Sequence, residues 1–565
     1  MLSTSRISST GKEPTGPRRF APPVPVNPPG GSIIDATKPG AWCPQGTGDI
    51  LPFTSRVTNI SENCLSLRVA RSRGSTSDRK LLVVVDLHGG GHALGSASEI
   101  LYTPDGLIQE ASTSGRSLIY VGINYRLGLF GFATSKTMIK MKQTNAGLRD
   151  QRAALEWIRD NIEAFGGDPD RVTAIGQSVG ASDIGLHLVS YNGTRGSPIQ
   201  QAILMSGATG LNFNSDPAHV TENTASIAKK ANCISNKDAE SLETLKYLRI
   251  PFKILTNLSV TASRTARPLF GEGFCYPTID GDILPGQPSE LLRAGRVVTD
   301  FPLIASWVTN DGAWYAPPTT ATDTDVLASF GFWLSHLSES TQKTLLELYP
   351  LEDFTHIQRH AEAGLDISPQ YYRATQMNRD IWLTCPVLYF TWNYLQKHQQ
   401  IKEEGGDPSG SSDSSSPKIW LYEHNATRYT PVFKVMGVQM WGVAHLSDIP
   451  YVFNSKEVSA GADNSVTQLE LARKVSRSVI AFAYTGSPED SGSNAWPVAF
   501  DEKDIRKEKS SPEKISIKVF GLEEDLDGAV TISRSVEPAS VNKLEKAMEW
   551  GRLFDRLAGL VVSSL

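Results

Sequence analysis

A serine between two glycines is the first candidate for chemistry in this sequence. Residues 176–180 read Gly-Gln-Ser-Val-Gly and fit the pattern G-x-S-x-G. The residues from Arg171 to Ile175 predict a strand and those after Gly180 a helix, which is the context of a nucleophile elbow. The glycines leave room for a sharp turn that exposes the Oγ of Ser178. Ser178 is therefore a candidate nucleophile, and an ordinary turn serine is the alternative.

A run of glycines upstream could supply the partner that such a serine needs. His88-Gly89-Gly90-Gly91 follows an apolar stretch at 81–87 that predicts a strand. Glycines let the backbone turn its N–H groups toward an oxyanion without a Cβ in the way. A plain glycine-rich turn between strand and loop is the alternative. Both motifs in this order favour a serine hydrolase.

The acid and the histidine should follow the serine along the chain. Asp311 comes just beyond the apolar stretch 302–308, which predicts a strand, although Asp-Gly is also a common turn. His424 ends the stretch 419–424, and His445 lies in a short loop between two apolar segments. The residues alone favour His445 and leave His424 open. The other histidines beyond Asp311 fall in helical segments and are interpreted as solvated or core residues: His336, His356, His360 and His398.

The elements that must position these residues alternate between strands and helices. Strands are predicted at 81–87, 117–125, 200–207 and 302–308, and the first is apolar at all but one position, as in a strand buried on both faces. Apolar residues at helical spacing predict a long helix within 145–167, ended by two glycines. We therefore expect an α/β protein with a large, mostly parallel central sheet, flanking helices and helical cap insertions.

The chain organisation is expected to be simple. Residues 1–32 are rich in Pro, Gly and Ser and predict an extended arm rather than packed elements. Serine, acid and histidine must meet at one sheet edge, so residues 33–565 should form a single catalytic domain. Residues 218–400 are mostly helical in pattern and resemble a cap, and the polar stretch 403–417 predicts a disordered loop, with a domain linker as the alternative.

The composition of the 565 residues excludes several classes of protein. A hydrophobic content of 40% predicts a globular chain, and a net charge of −5 without a long basic run disfavours a nucleic acid partner. The five cysteines show no Cys-x-x-Cys spacing, so we do not expect a metal site. No cofactor is expected either. No apolar stretch is long enough for a membrane span or a secretory signal. A cytoplasmic location is the default, secretion is the alternative if the natural chain begins upstream, and the sequons do not decide: Asn59, Asn192, Asn257 and Asn425.

Beyond these patterns, the chain resembles the type-B carboxylesterase/lipase family of cholinesterase-like α/β-hydrolases, in particular its filamentous-fungal members. The resemblance extends over most of the chain and is most specific in NAGLRDQRAALEWIRDNIEAFGGDPDRVTAIGQSVGAS at 145–182. Further matching segments are CPQ at 43–45, SENCLSLRV at 61–69, HGGGHALGS at 88–96, GINYRLGLFGF at 122–132, PTIDGDILPGQP at 277–288, NDGAW at 310–314 and GVAHLSDIPYVF at 442–453.

The resemblance implies a catalytic triad of Ser178, Asp311 and His445. It also implies three backbone N–H donors to the oxyanion: Gly90, Gly91 and Val179.

Four positions depart from the family pattern. Asp311 and Gln177 stand where the family usually has Glu, so the triad acid is shorter and one buried charge is absent. Val179 replaces Ala, and His92 replaces an aromatic residue beside the glycine turn. We expect activity to survive the shorter acid. Val179 should make the oxyanion wall bulkier, and His92 should reshape the acyl or alcohol pocket.

The resemblance also implies disulfides. Cys43 and Cys64 match the first disulfide of the family. Cys233 matches the first cysteine of the second, but Tyr247 occupies the partner position, so Cys275 becomes its expected partner. Cys385 is then expected to be a buried free thiol.

These observations predict a serine carboxylesterase that acts on a small or medium-sized ester through an acyl-enzyme. No Trp lies between Cys43 and Cys64, where cholinesterases use one to hold a quaternary ammonium, so a choline ester is not expected. The alternatives are an acyltransferase or lactone-processing enzyme of natural-product metabolism, and an inactive cholinesterase-like scaffold. The sequence does not indicate an oligomeric state.

Overall fold

The computed structural model describes most of the chain. The described residues are 2–7, 12–26, 31–33, 35–48, 51–73, 80–209, 215–231, 250–266, 273–331, 338–355, 365–404, 417–456, 458, 461–489, 496–505, 515–521 and 533–535.

A single twisted sheet forms the centre of the described structure, with the strand order β1-β2-β4-β3-β5-β6-β7-β8-β9-β10. The strands are β1 Leu2–Ile7, β2 Leu67–Ser72, β3 Leu81–Leu87, β4 Leu118–Ile123, β5 Gly167–Gln177, β6 Gln201–Met205, β7 Leu303–Val308, β8 Ile419–His424, β9 Ser516–Phe520 and β10 Ser533–Ser535. Neighbours from β4 to β9 run parallel, while β1, β2 and β10 add antiparallel pairs at the two edges. The expected mostly parallel α/β architecture is confirmed.

Helices pack against this sheet and connect its strands. They are α1 Asp105–Thr113, α2 Gly128–Phe132, α3 Lys136–Lys140, α4 Ala146–Asn161, α5 Val179–Val189, α6 Pro217–Lys230, α7 Phe252–Ala266, α8 Pro288–Arg293, α9 Asp323–Gly331, α10 Glu339–Leu348, α11 Pro369–Arg379, α12 Cys385–Glu403, α13 Thr430–Met436, α14 Ile449–Val452, α15 Val466–Thr485 and α16 Glu502–Ile505. A π-helical turn, Asp380–Thr384, joins α11 to α12. Single 3₁₀ turns lie at Gly16–Arg18, Ile100–Tyr102, Ile162–Phe165, Ser190–Gly193, Ala313–Tyr315, Leu351–Phe354 and Gln439–Trp441.

Strand β3 shows why the central strands form where they do. Its sequence LLVVVDL is buried at every position, between two parallel neighbours and beneath helices. A strand covered on both faces gains from apolar side chains on both. The bounds of β3 match the prediction, and the predicted helix over 145–167 is α4 followed by a 3₁₀ turn that ends at a left-handed Gly166.

The N-terminal arm differs from the expectation. Leu2–Ile7 is not an isolated extended segment, because it pairs antiparallel with β2 along its whole length. Farther along, Phe20 is buried in a hydrophobic cluster, and the guanidinium of Arg19 donates to the carboxylate of Glu62 at 2.9 Å. The composition did not indicate these packed residues, and the pairing partners of β1 lie 60–70 residues farther along the chain.

The cap region and the low-complexity stretch are seen only in part. Helices α6 to α12, together with β7, occupy the region that was predicted to be mostly helical. Helix α12 ends at Glu403, and residues 405–416 of the predicted loop lie outside the described residues. The division of the chain into arm and catalytic domain stays a prediction.

The cysteines confirm two expectations and correct a third. Cys43 and Cys64 form a disulfide. Cys385 is a buried free thiol, as expected. Cys275 is also free and buried in an apolar cluster, so its expected bond to Cys233 is wrong; Cys233 itself lies outside the described residues.

No helix in the part of the chain that the structure describes combines the length and apolar character needed to cross a membrane.

Candidate active site

Ser178 stands in a strained turn at the carboxyl end of a central strand. It follows the last residue of β5 and caps the first turn of α5, with φ 59° and ψ −127°. Such a conformation costs a residue with a Cβ about 1–3 kcal/mol. A Cβ on Gly180 would collide with the carbonyl oxygen of Leu87, and one on Gly176 would collide with the backbone of Gly180. The turn therefore needs glycine at both flanking positions, which the sequence pattern predicts.

The glycine turn after β3 has the left-handed backbone that its composition predicts. Gly90 and Gly91 have φ values of 107° and 61°. The N–H of Gly89 donates to the hydroxyl of Tyr102 at 3.2 Å, which leaves Gly90 and Gly91 as the candidate donors of the turn. Val179 is the first residue of α5, where a backbone N–H has no intrahelical acceptor.

Asp311 and His445 are in direct contact. Oδ1 of Asp311 lies 2.6 Å from Nδ1 of His445, and both side chains are almost fully buried. The other carboxylate oxygen accepts hydrogen bonds from the hydroxyl of Ser206 at 2.8 Å and from the N–H of Val308 at 2.9 Å. A carboxylate can only accept, so Nδ1 carries a proton, and whenever the ring is neutral Nε2 carries the lone pair. Nε2 is therefore the nitrogen that can take up a proton.

Asn310 connects the loops that carry these two residues. Its N–H donates to the carbonyl of Val443 at 2.9 Å, and its side-chain oxygen accepts from the N–H of Val443 at 3.1 Å. Asn310 is adjacent to Asp311, and Val443 lies two residues before His445. The pair of hydrogen bonds holds the two loops in register beyond the ends of β7 and β8.

The choice between the two histidines is resolved by position. His424 is the last residue of β8, and its ring packs on Tyr451 at 4.4 Å between centroids. Burial lowers the pKa of His424 to about 3. The structure brings His445, rather than His424, to Asp311. His398 is buried beside the carbonyl of Thr299, and the remaining candidates lie outside the described residues: His336, His356 and His360.

Gln177 contacts the second ring nitrogen of His445. Its Nε2 lies 3.0 Å from Nε2 of His445, and its Oε1 accepts from the hydroxyl of Tyr102 at 3.4 Å. The histidine nitrogen carries a lone pair, so the amide donates this hydrogen bond. A chain of contacts thus runs from the glycine turn through Tyr102 and Gln177 to His445. The sequence identified Gln177 only as a departure from glutamate and gave no signal of this contact.

A second buried carboxyl group lies close to the Asp311 and His445 pair. Burial, together with the charge of Asp311, raises the pKa of Asp448 to about 7, while His445 opposes the shift. Oδ2 of Asp448 accepts a hydrogen bond from Tyr422 at 3.3 Å. Asp448 is therefore a carboxyl group that holds its proton up to near neutral pH.

One cavity, about 730 Å³ with its open mouth included, is lined by part of this site. Ser178, His445, Gly90 and Gly91 lie on its wall. Most of the remaining wall is apolar or aromatic, including Leu51, Val57, Leu94, Leu101, Leu446, Tyr102, Trp314 and Tyr315. Ester groups with apolar substituents suit such a wall.

Trp42 also lines the cavity, and sequence reasoning missed it. It lies one residue before Cys43, outside the disulfide loop in which a tryptophan was sought. Its backbone pairs with the far end of that loop, since its N–H donates to Asn59 and its carbonyl accepts from Ser61, both at 2.9 Å. The lack of a tryptophan between Cys43 and Cys64 is therefore no evidence against a cationic substrate.

Comparison with known proteins agrees with this architecture. The profile of the Carboxylesterase family matches residues 11–518. The chain is 33% identical over 546 residues to the inactive carboxylesterase-like protein VdtD of Byssochlamys spectabilis, covering 95% of this chain and 90% of that one. It is 33% identical to a secreted lipase, ARB07186/07185, of Arthroderma benhamiae, covering 90% of this chain and 84% of that one. It is 27% identical to the para-nitrobenzyl esterase of Bacillus subtilis, covering 87% and 88%.

The chain therefore belongs to the carboxylesterase family, as the resemblance predicted. Family membership and fold together place it in the class of carboxylic ester hydrolases with an α/β-hydrolase fold. Its similar relatives include fungal proteins of the same family.

Proposed function

We propose that this protein hydrolyses a carboxylic ester of a small or medium-sized organic molecule, with Ser178 as nucleophile, His445 as general base and Asp311 as the acid that orients it. One observation carries the proposal. Ser178, at its strained turn, shares a cavity with His445, whose Nδ1 is held 2.6 Å from Asp311, and with the Gly90–Gly91 turn.

The proposed mechanism has two acyl-transfer steps. His445 takes the proton of the Ser178 hydroxyl through Nε2 while Oγ bonds to the ester carbonyl carbon. The oxyanion accepts from the N–H groups of Gly90, Gly91 and Val179, each of which is worth roughly 3–4 kcal/mol. The tetrahedral adduct collapses as His445 returns the proton to the leaving alcohol. Water, activated in the same way, then releases the acid and restores Ser178.

The cavity supports an apolar ester of moderate size. Its wall carries four aromatic side chains, those of Trp42, Tyr102, Trp314 and Tyr315. The space inside it that is accessible to water is about 90 Å³, so short acyl chains fit it better than long ones. A series of p-nitrophenyl esters from acetate to palmitate measures this preference, and we expect kcat/KM to be highest below about ten acyl carbons.

A non-catalytic role is the second candidate. A relative that is 33% identical is named inactive, and here the amide of Gln177 occupies the lone pair of His445 that the reaction needs. Acyl transfer to an alcohol instead of water is a variant of the same chemistry, and product analysis with added alcohols detects it.

Substitution of the serine tests the proposal. Ser178→Ala should abolish hydrolysis of p-nitrophenyl acetate and labelling by a fluorophosphonate, while the melting temperature stays within a few degrees of wild type. Ser182→Ala, one helical turn farther along α5, is the matched control and should retain both activities. Folded wild-type protein that neither hydrolyses any ester of the series nor reacts with the fluorophosphonate would support the non-catalytic role instead.

A further inference from the structure

His92 follows the Gly90–Gly91 turn directly and is tied to the helix of the nucleophile. Its Nε2 lies 2.9 Å from Oδ1 of Asp183, and the two side chains are 7% and 0% exposed. Asp183 stands on α5 one turn beyond Val179, so the two residues lie on the same face of that helix. The pair therefore joins the two segments that carry the three candidate oxyanion donors.

Asp183 is held from a second helix as well. Its Oδ2 accepts a hydrogen bond from Nε2 of Gln151 on α4 at 2.6 Å. Oε1 of Gln151 in turn accepts from Nε2 of His187 at 3.0 Å. Burial, and then the nearby charge of Arg152, lower the pKa of His187 to about 3, so this histidine is neutral. The carboxylate is fixed at both oxygens and cannot drift without breaking a buried network.

The backbone of His92 needs such support. Its φ is 57°, a left-handed conformation that few residues other than glycine adopt without cost. Its carbonyl accepts from the N–H of Gly128 at 2.6 Å, and its ring packs on Phe132 at 4.7 Å between centroids. These contacts hold the end of the glycine turn in place. The hydrogen bond to Asp183 fixes the position of that turn relative to α5.

We propose that the His92–Asp183 pair is a positioning device for the oxyanion hole, which fixes the spacing between the N–H groups of the Gly90–Gly91 turn and the N–H of Val179. The inference rests on the proposed function. N–H donors stabilise the oxyanion when they lie about 2.7–3.1 Å from its position. A small displacement of the donors therefore weakens their binding of the transition state more than their binding of the planar ester. Neither residue touches the substrate in this account.

Asp183→Ala tests the proposal through a split between kcat and KM. We expect kcat for p-nitrophenyl acetate to fall about tenfold or more, with KM within about threefold of wild type. Affinity for a trifluoromethyl ketone, which forms a tetrahedral adduct with serine, should fall by the same factor as kcat. Affinity for the planar methyl ketone of the same shape should stay unchanged.

Asp183→Asn should restore the lost activity. The asparagine Oδ1 still accepts from His92, while its amide needs an acceptor from Gln151. If Gln151 rotates its amide, its Oε1 faces the asparagine and its Nε2 faces Nε2 of His187, which must then accept. The His187 ring can meet this need by moving its proton to Nδ1, which has no hydrogen-bond partner among the described residues. We expect kcat of Asp183→Asn within about threefold of wild type.

Asp280→Ala is the matched control for loss of a buried carboxylate. The side chain of Asp280 is also 0% exposed and also has several donors, among them Arg149 at 3.1 Å and Thr144 at 2.9 Å, but it is not on the cavity wall. It should lower the melting temperature and leave kcat within about threefold.

Four results would overturn the proposal: an unchanged kcat in Asp183→Ala, an equal loss in Asp280→Ala, a parallel loss of affinity for both ketones, or no rescue by asparagine. If Asp183→Ala does not fold, the double variant His92→Phe/Asp183→Ser removes the pair without leaving a buried charge, and wild-type kcat in that variant also overturns it. Wild-type protein without esterase activity refutes the proposed function instead, so the two failures are distinguishable.

Discussion

The side-chain amide of Gln177 donates a hydrogen bond at 3.0 Å to Nε2 of His445, the ring nitrogen opposite the one that Asp311 holds. An amide donor favours the unprotonated ring because it needs the lone pair. In the proposed mechanism the same nitrogen accepts the proton of Ser178, so Gln177 has to release it or rotate its amide to present Oε1. On that mechanism Gln177 is part of the proton-transfer geometry.

Replacement of Gln177 should move the acid limb of the pH–rate profile. In Gln177→Glu a carboxylate faces Nε2 and favours the protonated ring, so the limb should shift to higher pH by about one unit or more. In Gln177→Met the donor is lost without a new charge, and the shift should be smaller and in the same direction. The measurement is kcat/KM for p-nitrophenyl acetate between pH 5 and 9. If wild type and both variants have the acid limb at the same pH, the side chain of Gln177 does not contact Nε2 of His445 in solution.

Asp311 should act through orientation of the imidazole. Asp311→Asn presents a donor or a weaker acceptor to Nδ1 and favours the wrong tautomer, so kcat should fall by roughly 10³–10⁴ with little change in KM. Ser206→Ala removes one of three hydrogen bonds that the described residues make to the carboxylate, and should lower kcat less, about tenfold. Steady-state kinetics on the three proteins gives the ranking. A larger loss in Ser206→Ala than in Asp311→Asn would assign the acid elsewhere.

Asn310→Ala should weaken the register between the acid and histidine loops. It removes the side-chain acceptor of the Val443 N–H but leaves the backbone bond, so we expect a loss of about 1 kcal/mol in the free energy of unfolding. The loops that carry Asp311 and His445 would be held less firmly to each other in this variant, so kcat should fall several-fold at constant KM. Denaturant unfolding and kinetics on the same preparation check both. Thr309→Val, which removes contacts to Glu423 and Asn425, serves as the neighbouring control and should leave kcat nearly unchanged.

The buried Asp86 should make stability depend on pH. Burial raises its pKa to about 7, against 3.8 for an ordinary Asp, while the Tyr120 hydroxyl and Arg68 oppose the shift. A carboxyl group with a raised folded-state pKa contributes stability at low pH that is lost as the pH rises from about 4 to 7. Asp86→Asn should therefore be more favourable at pH 8 than at pH 5, by on the order of 3 kcal/mol.

Melting temperatures of Asp86→Asn and wild type across this pH range give the answer. The exposed Asp325 has a pKa lowered by hydrogen bonds from the backbone N–H of Ala321, so Asp325→Asn should have the same effect at pH 5 and pH 8. A pH-independent difference for Asp86→Asn would mean that its carboxyl group is already ionised in the folded protein at pH 5.

Most of the sheet was predictable, because buried parallel strands carry continuous apolar runs. β3 was predicted with its exact bounds, whereas β5 begins at Gly167 instead of Arg171, since Asp168, Pro169 and Asp170 show no strand pattern. β1 was missed because its sequence LSTSRI has no periodicity and its pairing is long-range.

The candidate site was predictable at the level of residues and unpredictable at the level of contacts. Strand ends and motif order predicted Ser178 and Asp311. The choice between His424 and His445 needed the path of the loop after β8, which the sequence pattern does not define. The bond from Gln177 to His445 and that from His92 to Asp183 depend on side-chain direction, which spacing does not encode.

The Cys43–Cys64 disulfide lies beside residues that line the cavity. Trp42 and Gln45, which lie on either side of Cys43 in the sequence, both line the cavity. The side chain of Gln45 makes two hydrogen bonds with the backbone of Gly95, at 2.9 and 3.0 Å. The Cys43–Cys64 disulfide thereby anchors a segment of the cavity wall that would contact the ester. Protein made in a reducing cytoplasm and protein made under oxidising conditions would then rank the same ester library differently. Thiol reagents in the buffer become a variable of specificity, to be set before any substrate is named.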